Sequence, residues 1–107
     1  GHECSFELVE ACDKIVCDDW EPVTHRGLPT PARMHAAGVL SDERIHANLP
    51  QLLTGKRTGR ESERERIHFA HIGLGLGDVA WGAAVYQRAL QRGLGRRWEL
   101  WHAPLWA

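Results

Sequence analysis

The run Ile67-His68-Phe69-Ala70-His71-Ile72-Gly73-Leu74-Gly75-Leu76-Gly77-Asp78 carries an apolar, strand-like segment into a glycine-rich turn that opens a small-residue helix. Backbone N–H groups at such a turn, reinforced by the helix dipole, can meet an anion. The spacing departs from the G-x-G-x-x-G of a dinucleotide loop. After Gly73 and Gly75 the third glycine is due where Asp78 stands, and an acid there repels a pyrophosphate. On the residues alone, the glycines permit tight strand-to-helix packing and Asp78 is the cap.

Other reactive side chains are less concentrated. His68 and His71 fall on opposite faces of a strand, because three residues is an odd step in a period of two. His25, His35, His46 and His102 share no ligand spacing, so no metal site is expected. The basic loop Lys56-Arg57-Thr58-Gly59-Arg60 could take phosphate, but Glu61, Glu63 and Glu65 follow it and favour a solvated turn. Cys4, Cys12 and Cys17 cannot all pair and form no C-x-x-C unit. They read as small buried hydrophobes in a reducing, cytoplasmic setting.

The 107 residues bound the answer to one core, and 13 basic against 14 acidic side chains give no net-positive face for nucleic acid. No run approaches the ~18 apolar residues of a membrane helix, and no charged-then-apolar leader opens the chain. A soluble protein without nucleic-acid or membrane partners is expected. Gly1-His2 fits an expression scar as well as native sequence.

Several elements are needed to position the turn. Ser5 suits an N-cap, with Glu7 in the first helical turn and Leu8, Val9 and Cys12 on one face. Lys14-Ile15-Val16-Cys17 is a short apolar strand ending at Asp18-Asp19, of the kind found in a parallel sheet covered on both faces. As the single strand of its kind in view, it implies ladder partners outside these residues. Trp20, Pro22, Gly27, Pro29 and Pro31 predict a loop over Trp20–Pro31. Helices are expected over Ala32–Ala37, closed by Gly38, from Ser41, and after Asn48, with Pro50 at its start and Gly55 at its stop. Ser62-Glu63-Arg64-Glu65 has capping-box spacing, and Ile67–Ile72 returns to strand.

The clearest helix spans about Asp78 to Arg92, where Val79, Ala83, Tyr86 and Leu90 form one stripe and Gly93 stands at the C-cap. The tail Trp98–Trp106 is apolar enough to be a packing segment, within the chain or between subunits.

Taken in order, Glu3, the strand ending in Asp18-Asp19, His25-Arg26-Gly27, Leu53–Arg60 with its Thr54-Gly55-Lys56 and Gly59-Arg60, and Phe69–Asp78 followed by Val79-Ala80 resemble the C-terminal third of the ornithine cyclodeaminase and mu-crystallin family. The set is specific together and unspecific residue by residue. The resemblance implies an α/β fold: the C-terminal part of a Rossmann-like dinucleotide-binding domain, residues 1–77, plus a long returning helix and tail, residues 78–107, that belong to a substrate and dimerisation domain.

The resemblance also implies a cofactor, NAD or NADP, and a small amino or imino acid substrate. His71 and Ile72 match positions that family members place beside the nicotinamide and the substrate, with Gly73 next; Ile72 would be the apolar wall against the substrate. The catalytic aspartate, the substrate-binding lysine and arginine, and the dinucleotide loop are expected upstream of Gly1. The implied protein is a fragment or subunit of an NAD(P)-dependent amino/imino acid oxidoreductase or cyclodeaminase, inactive as 107 residues alone, that needs a complementary N-terminal segment and forms a homodimer. The alternatives are a non-catalytic, mu-crystallin-like cofactor-binding or structural protein, and an interaction module built on the Trp-rich tail.

Overall fold

In the computed structural model, which describes residues 3–99 and Trp101, the elements run α1 (Phe6–Glu10), β1 (Lys14–Cys17), α2 (Trp20–Arg26), α3 (Thr30–Ala36), a 3-10 turn (Asp42–Arg44), β2 (Ile45–Asn48), α4 (Leu49–Leu53), β3 (Ile67–Ala70) and α5 (Gly75–Gln91). The chain is α/β, and its sheet is parallel with strand order β2-β1-β3. It divides after Gly73 into two compact units.

The first unit is organised by β1, all four of whose residues are buried. Ile15 and Val16 are β-branched and suit a strand covered on both faces. The ladder partners expected outside the chain lie within it. Lys14, Ile15, Val16 and Cys17 pair with Ile67, His68, Phe69 and Ala70 of β3, while Ile15, Val16 and Cys17 pair with Ile45, Ala47 and Asn48 of β2 across a bulge. β2 escapes a pattern reading because Ile45-His46-Ala47-Asn48 alternates with polar residues over a single short strand.

One sheet face carries the core. Ile15 packs with Val9, Met34 and Leu40, and Cys17 packs with Val23, Ala32 and Ala70; Trp20 and Ile45 lean on both clusters. Full burial of a side chain the size of Val9, Ile15, Val23 or Met34 contributes ~1.5–3 kcal/mol. Leu8, expected on the buried side of α1, is exposed, and Val9 alone of the helix is buried. On the opposite face Leu49, Leu52, Ile67 and Phe69 surround Val16 around an open space of about 250 Å³.

Two further expectations are corrected. Trp20–Pro31 is not a loop: α2 occupies Trp20–Arg26, and α3 begins at Thr30 rather than Ala32. Pro22 and Pro31 both sit in the first turn of their helices, where the missing N–H has no intrahelical acceptor to lose. The helix expected from Ser41 stops after one 3-10 turn because Ile45 enters β2. Ser5 caps α1 by accepting from Leu8 N–H, and Asn48 precedes α4, as expected. Ser62–Glu65 forms a turn with no helix behind it; the Glu65 carboxylate accepts from Glu61 N–H at 2.8 Å.

In the second unit α5 starts at Gly75, three residues before the expected Asp78, which lies in its first turn while Leu74 is the N-cap residue. Its C-terminus closes in a Schellman pattern, with Gly93 at φ 63°, Gly93 N–H donating to Leu90 O and Leu94 N–H to Ala89 O. Val79, Tyr86 and Leu90 of its apolar stripe are exposed. Trp98 is exposed under the Arg96 guanidinium, 5.6 Å from the ring centroid. Leu100 and residues 102–106 of the expected packing segment lie outside the described residues, as do Gly1, His2 and Ala107.

Candidate functional site at the carboxyl edge of the sheet

All three strands are parallel, so their carboxyl ends meet on one edge, and this is the edge where open α/β sheets bind ligands. Asp18 follows β1 there and is 4% exposed. Its backbone N–H extends the ladder to Ala70 O at 3.2 Å. Its carboxylate accepts three amides: Asp19 N–H on Oδ1 at 2.9 Å, and Ile72 N–H and Gly73 N–H on Oδ2 at 3.0 and 2.9 Å. A buried carboxylate needs such donors, because an unpaired one costs several kcal/mol.

Asn48 ties in the third strand. Its Oδ1 accepts from Trp20 N–H at 3.0 Å, and its Nδ2 donates to Asp19 Oδ1 at 3.4 Å. Gln51 Oε1 in turn accepts from Asn48 N–H at 2.8 Å. The ends of β1, β2 and β3 are thereby cross-linked through side chains as well as through the ladder.

The turn after β3 holds the three residues singled out by sequence. Ile72 is half-buried against the Cys17, Val23, Ala32 and Ala70 cluster. Gly73 has φ 83°, and a Cβ built on it would meet nothing within 4 Å, so conformation rather than space favours glycine there. His71 is exposed beyond the end of β3, its ring stacked on Phe69 at 5.6 Å between centroids. With Ile72 it lines a pocket of about 170 Å³ whose other walls are Glu3, Arg26, Leu28 and Pro29. That is smaller than the ~300–1,000 Å³ of pockets for drug-sized ligands and suits a small acid or one ring of a larger molecule. Arg26 and Glu3 give it one cationic and one anionic group.

The fit to a dinucleotide is therefore partial. The turn offers an apolar wall at Ile72 and an open backbone at Gly73 for a flat ring. A diphosphate finds no matching cradle among the described residues: Gly75 and Gly77 lie inside the first turn of α5 together with Asp78. In the basic loop, Arg60 is engaged within the chain. Arg60 donates to Ser62 O and Glu65 O, and Thr58 O contacts His46 Nε2 at 2.7 Å.

Glu61 and Glu65, two of the three acids after that loop, serve a different cation from the expected one. Lys14, at the start of β1, donates to Gly59 O at 2.7 Å, lies 2.6 Å from Glu61 and 3.0 Å from Glu65. The hydrogen bond to Glu61 holds its ammonium above the ordinary lysine range, and Lys14 holds the Glu61 carboxyl below its own. His68, paired in register with Ile15, is pushed down by burial while Glu3 pulls it up. Burial pushes the Cys17 thiol up to about 12, so it is a packing group. Among the described residues, no group of three or more His, Cys, Asp or Glu could hold a metal ion, and no helix is long and apolar enough to cross a membrane.

Asp18 is the residue that sequence reasoning passed over, treating it as the end of an apolar run. No local signal marks it, because an acid after a short strand ordinarily faces water and the amides that bury this one come from the distant turn.

The profile of the ornithine cyclodeaminase/mu-crystallin family matches residues 8–93. The N-((2S)-2-amino-2-carboxyethyl)-L-glutamate dehydrogenase of Staphylococcus aureus is 34% identical over 95 residues, 89% of this chain and 28% of that protein. Two solved structures are similar as well. An archaeal alanine dehydrogenase dimer with bound NAD superposes with TM-score 0.68 at 28% identity, over 94% of this chain and 30% of that one. The Thermococcus litoralis Δ1-pyrroline-2-carboxylate reductase in complex with NADH and L-proline gives TM-score 0.72 at 29% identity, over 92% and 30%. The chain thus spans about 30% of the length of these relatives.

Proposed function

The chain belongs to the ornithine cyclodeaminase/mu-crystallin family, and from that premise we propose that it supplies the C-terminal part of an NAD(P)-dependent oxidoreductase or cyclodeaminase acting on a small amino or imino acid. Residues 1–77 complete the dinucleotide-binding domain, and residues 78–107 return to a substrate and dimerisation domain. The complete protein is a cytoplasmic homodimer whose nucleotide loop, substrate clamps and proton-transfer carboxylate reside on a complementary N-terminal segment.

The observation that carries this reading is the turn at His71, Ile72 and Gly73, fixed by Asp18 at the carboxyl edge of a parallel sheet. When bound, the nicotinamide supplies or receives the hydride. Within this chain, Gly73 leaves the backbone open to the flat ring. Ile72 provides an apolar wall that excludes water from the reacting carbon and holds the substrate's side chain. His71 offers a ring nitrogen at the pocket rim, and Arg26 supplies a positive charge that suits a carboxylate.

The test is NAD(P)H fluorescence titration beside steady-state turnover of small amino and keto acids, with residues 1–107 alone and with the full-length protein that carries them. The reading expects turnover from the full-length protein and none from the chain alone. Turnover by residues 1–107 alone overturns it, and a full-length protein that binds cofactor without transferring hydride identifies a mu-crystallin-like binding protein instead.

A further inference from the structure

We propose that Asp18 is a positioning residue of this site: one buried carboxylate oxygen holds the consecutive amides of Ile72 and Gly73, and so sets where the turn meets cofactor and substrate. The proposal rests on the functional reading above.

Two of the three amides on this carboxylate belong to the turn and one to its own strand end. Asp18 therefore works as a spacer between the end of the central strand and a segment 54 and 55 residues further along the chain. Oδ2 receives both turn amides, so displacing that atom displaces Ile72 and Gly73 together. Ile72 is also seated on the core, which leaves the clamp to fix the direction in which the backbone leaves β3. At Gly73 the backbone is in the left-handed region, where the path depends on what holds it rather than on side-chain sterics. A misplacement of ~1 Å in a reacting group costs on the order of 10²-fold in rate. Adhesion of the dinucleotide, by contrast, depends mainly on groups outside this turn.

Asp18→Asn tests the idea with little change of volume. The amide can present its oxygen to Ile72 and Gly73 only by turning its NH2 toward the Asp19 N–H, donor against donor, and the reverse rotamer abandons the turn. In the full-length protein the expected result is a kcat lowered by roughly 10- to 100-fold, a cofactor dissociation constant within about threefold of wild type, and faster amide exchange confined to Ile72, Gly73 and Asp19. Asp18→Glu, which keeps the charge but lengthens the arm, should fail to restore kcat.

Gly73→Ala perturbs the same turn with Asp18 intact, and the double variant Asp18→Asn/Gly73→Ala should lose less than the product of the two single losses, because both act through one backbone segment. The proposal is overturned if Asp18→Asn keeps wild-type kcat and amide exchange, or if the two losses multiply independently. It is also overturned if Asp18→Asn and Asp18→Glu merely fail to fold while Gly73→Ala keeps full kcat. A wild-type full-length protein that neither binds nor turns over NAD(P)H defeats the functional reading, and this proposal with it. An active wild type with an unaltered Asp18→Asn variant defeats only the proposal.

Discussion

Lys14 and Glu61 lie 47 residues apart in sequence and form a 2.6 Å ion pair that fastens the segment after α4 to the first residue of the central strand. The lysine side chain is 11% exposed, and Gly59 O and Glu65 complete its shell. A buried ammonium on a strand survives because its protons are all directed at acceptors.

The pH dependence of this cluster follows from its sign. Glu61 and Glu65 titrate below their usual range, Glu61 chiefly through Lys14 and Glu65 chiefly through the Glu61 backbone amide, so both stabilise the fold above the ordinary carboxylate pKa. That contribution is lost as the pH falls below about 4. Lys14 is raised, so its contribution persists to about pH 10 and is lost only as pH rises further. Lys14→Met should therefore lower the urea midpoint at pH 7 and flatten the acid limb between pH 5 and 3. An acid limb identical to wild type would show that the ion pair contributes nothing.

Cys17 provides a chemical test of the core. Its thiol is fully buried and pushed up to about 12, while Cys4 and Cys12 are half-exposed. The thiolate is the nucleophile, so Cys17 should resist iodoacetamide at pH 8 in the native protein, and Cys4 and Cys12 should label. Mass spectrometry before and after denaturation measures this, and native labelling of Cys17 at the rate of Cys4 would contradict the packing described for β1.

The residues differ in how much of this was legible from sequence. Ser5, the Ile15-Val16-Cys17 run and the stripe from Val79 to Leu90 announce their elements because local chemistry decides them: a cap, a double-sided strand and a helical period. α2 was hidden by Pro22, whose rigid ring is compatible with a first turn, and β2 by His46 and Asn48, whose polar groups are used by Thr58 O and Trp20 N–H. The turn residues His71, Ile72 and Gly73 were reached through family resemblance. Asp18 was unreachable by local pattern because an acid after a strand ordinarily faces water, and its burial depends on amides more than fifty positions away.

His71 tests the pocket rim. In the full-length protein His71→Ala should weaken cofactor binding by ~0.5–1.5 kcal/mol, an ordinary hydrogen bond, with little change in thermal midpoint because the ring is exposed. Phe69 loses a stacked neighbour but keeps its strand position. Fluorescence titration with NAD(P)H reads the affinity, and an unchanged dissociation constant would leave His71 as a packing partner of Phe69 alone.

Ile72 separates substrate from cofactor. Its side chain lies between the core cluster of Cys17, Val23, Ala32 and Ala70 and the pocket shared with Arg26 and His71. Ile72→Asp places a carboxylate there while leaving the backbone amide that Asp18 holds. The new carboxylate competes for the Arg26 guanidinium in that pocket with the carboxylate expected of an amino or imino acid, so loss of the cationic partner and like-charge repulsion act together against the substrate. On the proposed reading the cofactor's nicotinamide end loses only an apolar contact. The expected outcome in the full-length protein is a fall of about 10- to 100-fold in kcat/KM for the amino acid, with NAD(P)H affinity within about threefold of wild type. Ile72→Val, which keeps the apolar wall, should stay near wild type. Equal losses of cofactor and substrate binding in Ile72→Asp would place the side chain against the cofactor instead.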